Sequence, residues 1–151
     1  MGSVRSGAGV VALAGVVLVA VAGCGSRGTG VSEAQAWAEP ARYAYTLQSS
    51  CGERLLIGRF RVTVERGAVT KAEALDESAA SVLEGRKPDV VPSIGALVAE
   101  AAKARADNAD KVTVELDPAD GHPTKVTIDP YSNAIDDESC YDVTGYTVLS
   151  S

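Results

Sequence analysis

Five oxygen-bearing side chains fall within ten residues of one another: Asp129, Asn133, Asp136, Asp137 and Glu138. Hard oxygen ligands at this density suit Ca²⁺. The EF-hand spacing fails, because counting from Asp129 puts Ala134 at the glycine position and Cys140 at the bidentate position. The 129–138 stretch therefore has two readings. It is a solvated loop whose carboxylates accept backbone N–H bonds and pin the strand that follows, or it is a calcium or small-molecule site. Asp136 and Asp137 also offer two carboxylates for glycoside hydrolysis, which needs a pair flanking a cleft. Neighbours in an extended segment point to opposite sides, which argues against an enzyme with a carboxylate-based site. Ser-His-Asp chemistry would have to use His122, the only histidine, and it stands between Gly121 and Pro123 in an expected turn. No G-x-S-x-G, S-x-x-K, H-E-x-x-H, C-x-x-C or Walker pattern occurs. Zinc would need more His and Cys ligands than the chain can supply. No catalytic residue and no dissociable cofactor are expected.

The three cysteines divide by position. Residues 1–6 carry one positive charge, Arg5, and residues 8–23 (AGVVALAGVVLVAVAG) are 16 small or apolar residues without charge. That run is short for a membrane span, which takes about 20 residues, and right for the apolar centre of a signal peptide. It ends Val21-Ala22-Gly23-Cys24, which resembles the bacterial lipobox. The Cys24 thiol would accept a diacylglyceryl group, and small residues at 22 and 23 would let the backbone enter the peptidase that cuts before it. Two acyl chains meet the condition for stable anchoring. The expectation is a signal peptide over 1–23, a flexible linker over 24–31 leading from lipidated Cys24, and one domain over 32–151. The match of residues 23–28 to G-x-G-x-x-G straddles the cleavage point and lacks the flanking strand and helix, so it marks no dinucleotide site.

With Cys24 lipidated, Cys51 and Cys140 remain as an even pair in an oxidising compartment, and a disulfide between them is expected. The alternative is two buried free thiols. A bridge would close a loop of about 90 residues and contribute roughly 2–4 kcal/mol.

Composition narrows the function classes. The chain has 151 residues, 46% hydrophobic and 23% charged, a globular balance sufficient for one domain. Aromatics are only 5%, so Val, Leu, Ile and Ala must build most of the core. Fourteen Lys and Arg against 20 Asp and Glu give a net charge of −6, which excludes a nucleic-acid binder relying on a basic face.

The elements that position these residues follow from periodicity. Ser32–Glu39 predicts a short helix behind a Ser cap, ended by Pro40, with Trp37 plugging onto the core. Alternation over 43–51 puts Tyr43, Tyr45, Leu47, Ser49 and Cys51 on one strand face. Residues 55–65 predict a second strand with Phe60, Val62 and Val64 inward and a bulge at Gly58. Arg66-Gly67 predicts a hairpin turn into a third strand over 69–75. A loop over 76–92, with a helical turn near 78–83, precedes a helix capped by Ser93 and running to Ala106. Ile94, Leu97, Val98 and Ala101 would face inward, with Arg105 at the edge. Strands over 111–117, 123–129 and 141–149 follow, the last switching its apolar parity at Gly145.

The ordered set Tyr43-x-Tyr45-x-Leu47, Cys51-Gly52, Val62-x-Val64-x-x-Gly67-x-Val69, Asp120-Gly121-His122-Pro123-x-x-Val126-x-Ile128-Asp129 and Asp136-Asp137-Glu138-x-x-Tyr141 resembles an uncharacterised bacterial lipoprotein family. Its members carry a small secreted domain of unknown function, and the resemblance covers residues 37–149. It implies a small α+β domain without known activity, in which an aromatic often stands at the position of His122. The expected architecture is thus α+β: a mostly antiparallel sheet of about six strands with one main helix packed on one face. The expected function is a non-enzymatic domain, tethered outside the cytoplasm through diacylglycerol on Cys24, that binds an envelope protein or ligand.

Overall fold

A computed structural model of the chain describes residues 37–150. The signal peptide over 1–23, Cys24, the 24–31 linker and most of the expected 32–39 helix lie outside the described residues. The part of that helix within them, Trp37–Glu39, has no regular structure.

Strand β1 (Arg42–Ser50) is followed by β2 (Gly58–Glu65) and β3 (Ala68–Ala74). Helix α1 (Glu77–Leu83), a 3₁₀ turn (Pro88–Val90) and helix α2 (Ile94–Ala106) lead to β4 (Lys111–Leu116), β5 (Pro123–Asp129) and β6 (Ser139–Val148). The six strands form one sheet in the order β3-β2-β1-β6-β5-β4, antiparallel at every pairing. Two three-strand meanders thus join where β6 returns beside β1.

The architecture corrects the α+β expectation. The molecule is mostly β, with two short helices of seven and thirteen residues in place of a helical layer built on one main helix. Gly85, Pro88 and Pro92 explain the shortness. Proline lacks the backbone donor and biases its predecessor away from helix, so the Ala-rich 77–106 segment breaks in two. The six strands and the longer helix remain as read.

Each element has a local cause. Arg66 and Gly67 both take left-handed backbone (φ 51° and 77°), the type I′ geometry whose twist suits a two-residue hairpin. Asp76 caps α1 through Ala79 N–H at 2.8 Å, and its other oxygen accepts Arg59 N–H at 2.9 Å, tying the helix to β2. Gly58 lies against that same turn. A Cβ there would sit 2.5 Å from Ala79 N, and its φ is +130°. The β1–β2 register runs unbroken from Arg42↔Glu65 to Ser49↔Gly58, so Gly58 is a close approach and not a bulge. Ser93 caps α2 through Ala96 N–H, and Lys103 and Arg105 complement the dipole at its C-terminal end.

The core lies between one sheet face and the helices. Tyr43, Tyr45 and Leu47 alternate with Ala44, Thr46 and Gln48 along β1, and Phe60, Val62 and Val64 alternate with polar residues along β2; all six core residues are fully buried or nearly so. Val126, Ile128, Tyr141 and Val143 continue the face, and Ile94, Leu97 and Ala101 of α2 cover it. Val98 does not face the sheet and is 38% exposed, because Leu97 holds the centre of the stripe and Val98 turns onto its solvent flank. At Gly145 (φ 59°) the β1–β6 register shifts between Ala44 and Thr46, so Tyr146 returns to the core side. There it contacts Tyr43 and Trp37, whose ring meets Tyr43 edge-on at 5.8 Å. The helix-free face is polar. Arg59, Gln48, Asp142, Lys125 and Glu115 stand side by side across five strands, with Lys125 and Asp142 paired at 3.6 Å.

Candidate functional site

The disulfide between Cys51 and Cys140 organises the neighbourhood of the site. Its Cα atoms lie 5.6 Å apart across 89 residues, within the range a bridge requires. Ser50 pairs with Cys140 across the β1–β6 ladder, which brings Cys51 opposite the start of β6. The expectation that Cys51 shares the buried aromatic face fails. β1 ends at Ser50, and Cys51 turns outward in left-handed backbone (φ 57°), exposed. The reason is the turn itself: Gly52 packs so closely on Glu138 O that a Cβ would lie 2.2 Å from it, and Glu53 N–H donates to Asp136 O at 2.9 Å. The segment before β6 is thereby sewn to the turn after β1.

Two residues beside this bridge meet on the core side. Arg54 follows Cys51 by three positions, and Tyr141 follows Cys140 directly. Arg54 Nη2 donates to the Tyr141 hydroxyl, and its guanidinium carbon lies 4.9 Å from the centre of that ring, a cation–π arrangement. Glu100 of α2 completes the set. It accepts from the Tyr141 hydroxyl at 3.2 and 3.3 Å and pairs with Arg54 at 3.7 Å. Burial pushes the Tyr141 phenol above its ordinary range and the Glu100 charge adds to this, while Arg54 opposes it. Arg54 Nη1 is buried and has no hydrogen-bond partner among the described residues. Stranding a guanidinium donor in this way is a cost the fold carries internally at this end of the sheet.

An open groove of about 520 Å³ runs beside these groups. Leu55, Leu56, Val90 and Pro92 line it with apolar surface, and Arg54, Arg86, Glu100 and Tyr141 supply its polar groups. The walls are held from the core. The buried Ser49 hydroxyl donates to Leu56 O, and the Tyr45 hydroxyl donates to Pro92 O. Leu55 is 79% exposed, a large apolar side chain left uncovered at the groove. Arg86 makes no ion pair among the described residues. The arrangement offers donors and apolar area at one end of the domain, which is the chemistry of recognition.

None of the candidate metal, disulfide or lipidation residues named from the sequence lines this groove; of the residues that carry the resemblance, Tyr141 does. Asp129 ends β5, Asn133 and Asp136 are exposed, and Asp137 and Glu138 are partly covered by the approach to β6. Asp136 adopts left-handed backbone (φ 63°), and its carbonyl serves the Cys51 turn. Both Asp137 carboxylate oxygens and Asp129 Oδ1 are buried without a partner among the described residues. No three carboxylates of the loop gather within 4.8 Å. The one trio of His, Cys, Asp or Glu that does so among the described residues is Asp117, Asp120 and His122, in the β4–β5 turn. There Asp117 accepts Ala119 N–H at 2.8 Å, and Asp120 accepts both the backbone N–H and the Nδ1 of His122. Those contacts hold the Asp120 carboxyl below its ordinary range, the His122 side chain contributing most. His122 itself is buried and stacked on Tyr146, with ring centres 4.2 Å apart. That is an aromatic's role, and it fits a position where the resemblance implies an aromatic.

A family model described as a family of unknown function, DUF6174, matches residues 32–148. The chain belongs to this family. No curated protein and no solved structure matches it. The DUF6174 match spans every described strand and both helices, so the groove is built wholly within the family's domain.

Proposed function

We propose that the chain is a non-enzymatic binding module, tethered outside the cytoplasm by diacylglycerol on Cys24, whose ligand enters the groove beside Arg54. The observation that carries this reading is an open groove that sets Arg54 and Arg86 beside uncovered apolar side chains, Leu55 above all. The polar end suits recognition better than catalysis. The Tyr141 phenol is raised away from neutral pH and makes a poor base, and Glu100 is already engaged by Tyr141 and Arg54. Such a module needs only to be held at the membrane surface, which the lipobox-like Val21–Cys24 sequence supports.

The tether is tested by Cys24→Ser with radiolabelled palmitate and membrane fractionation. The parent chain should carry label and sediment with membranes, and the variant should lose the label. A variant that remains acylated would remove the anchor from the proposal.

The buried, partnerless oxygens of Asp137 and Asp129 favour a second reading, Ca²⁺ held by the 129–138 loop. A rise in melting temperature with Ca²⁺, reversed by chelator, would promote it; an unchanged melting temperature would leave the loop as a structural strap.

A further inference from the structure

We propose that the groove takes a small organic monoanion, one carboxylate carried on an apolar body; this rests on the binding-module reading and names its ligand class. Charge decides the sign. Arg54 and Arg86 stand at the groove against one acid, Glu100, so the local balance is one positive charge on a chain whose net charge is −6. Glu100 cannot neutralise both arginines. It lies 3.7 Å from Arg54 Nη2 and divides its oxygens with the Tyr141 hydroxyl, and Arg86 has no ionic partner among the described residues. A cationic ligand would have to displace Arg54 from Glu100. A neutral one would leave the surplus positive charge unbalanced. A carboxylate supplies two acceptor oxygens, the geometry a guanidinium fork prefers.

The single surplus charge also limits the anion. A dianion would exceed it and meet the repulsion of the acidic chain, whereas a monoanion balances it. The walls specify the rest of the ligand. Leu55, Leu56, Val90 and Pro92 present apolar surface, with Leu55 the most exposed large hydrophobic residue lining the groove. A volume of about 520 Å³ falls within the range of small-molecule sites. The apolar body would cover Leu55, and the carboxylate would lie between Arg54 and Arg86.

Titration calorimetry on the full chain in lipid nanodiscs, with empty nanodiscs subtracted, tests this using hexanoate, hexan-1-ol and hexylammonium. Hexanoate should bind one per chain and roughly tenfold tighter than the other two, as expected for a charge-assisted hydrogen bond. Arg86→Gln, at an exposed position outside the core, should weaken hexanoate several-fold with an unchanged melting temperature. Arg54→Gln should weaken it by roughly tenfold or more. Arg61→Gln on the helix-free face should leave binding unaltered. Hexanoate binding that ignores both groove substitutions overturns the proposal, as does hexan-1-ol binding equally well. Selective binding of hexylammonium or hexan-1-ol, lost on Arg54→Gln, would overturn the ligand class while keeping the groove as a binding site. No binding of any of the three would remove both.

Discussion

Replacing Cys51 and Cys140 with alanine removes a bridge that spans 89 residues. For a loop of that length, chain entropy alone gives about 4.5 kcal/mol of stabilisation at 25 °C. The native side of the balance changes little. Ser50 and Cys140 remain paired in the β1–β6 ladder, and Cys51 is exposed, so its loss opens no cavity. Alanine at 51 would still sit in left-handed backbone (φ 57°), a conformation costing roughly 1–2 kcal/mol for a residue with a Cβ. The expected loss for the double alanine variant is about 2–4 kcal/mol, below the chain-entropy figure because denatured chains keep residual order. Pairing Cys51→Gly with Cys140→Ala should recover about 1 kcal/mol of this by relieving the backbone. Urea unfolding read by Tyr and Trp fluorescence gives the midpoint and slope for each variant. A loss under about 1 kcal/mol for the double alanine variant would refute the reasoning, as would a glycine variant less stable than the alanine one.

Core truncation should follow the observed stripe of α2: Leu97→Ala should cost roughly 2–4 kcal/mol and Val98→Ala under about 1, measured by the same unfolding assay. Gly58→Ala should cost roughly 2–4 kcal/mol, since its Cβ would meet the Ala79 backbone at 2.5 Å, while Gly85→Ala, with nothing within 4 Å, should lose only about 1 from its positive φ. Asp110 and Asp120 are held below the ordinary 3.8, Asp110 by the Ser132 N–H and hydroxyl and Asp120 by His122. Their contribution is therefore complete above about pH 4 and is lost as pH falls through the lowered folded values. Asp110→Asn should flatten the acid limb of the stability–pH curve, and an unchanged limb would count against that carboxylate.

Period-two alternation made the strands legible, because β2 and β5 each bury one face and leave the other polar, and β1 places its large aromatic and aliphatic residues on a single face. Even the parity switch in β6 was readable, since a glycine able to take positive φ stands where Tyr146 must return to the core. The balance of helix and sheet was less legible. Ala-rich segments satisfy helix propensity, yet Gly85, Pro88 and Pro92 limit how far helix can run, and tertiary packing allotted α1 only seven residues. Val98 illustrates a finer ambiguity. A spacing of i+3 and a spacing of i+4 both satisfy a helical stripe, and only the placement of α2 over β4 and β5 decides which shoulder is covered.

The groove was hidden for a different reason. Arg54, Arg86, Glu100 and Tyr141 lie far apart along the chain, and each alone reads as an ordinary surface charge or core aromatic. The clustered acids drew attention because density along a sequence is visible, whereas convergence across a fold is not. Yet one line of inference reached toward the site. Once Cys51 and Cys140 are joined, residues within a few positions of each are brought near one another, and Arg54 and Tyr141 are such a pair. A charge placed beside a phenol by a covalent bridge leaves less freedom than a charge on an open loop, so its partners must be supplied locally. Glu100 supplies part of them. What remains unsupplied, the buried Nη1, is the feature by which this end of the domain is set apart from the paired Lys125–Asp142 charges of its helix-free face. The bridge therefore holds the Arg54 turn against Tyr141 at the same time as it closes the sheet, and loss of the bridge should loosen the ligand site before it unfolds the domain.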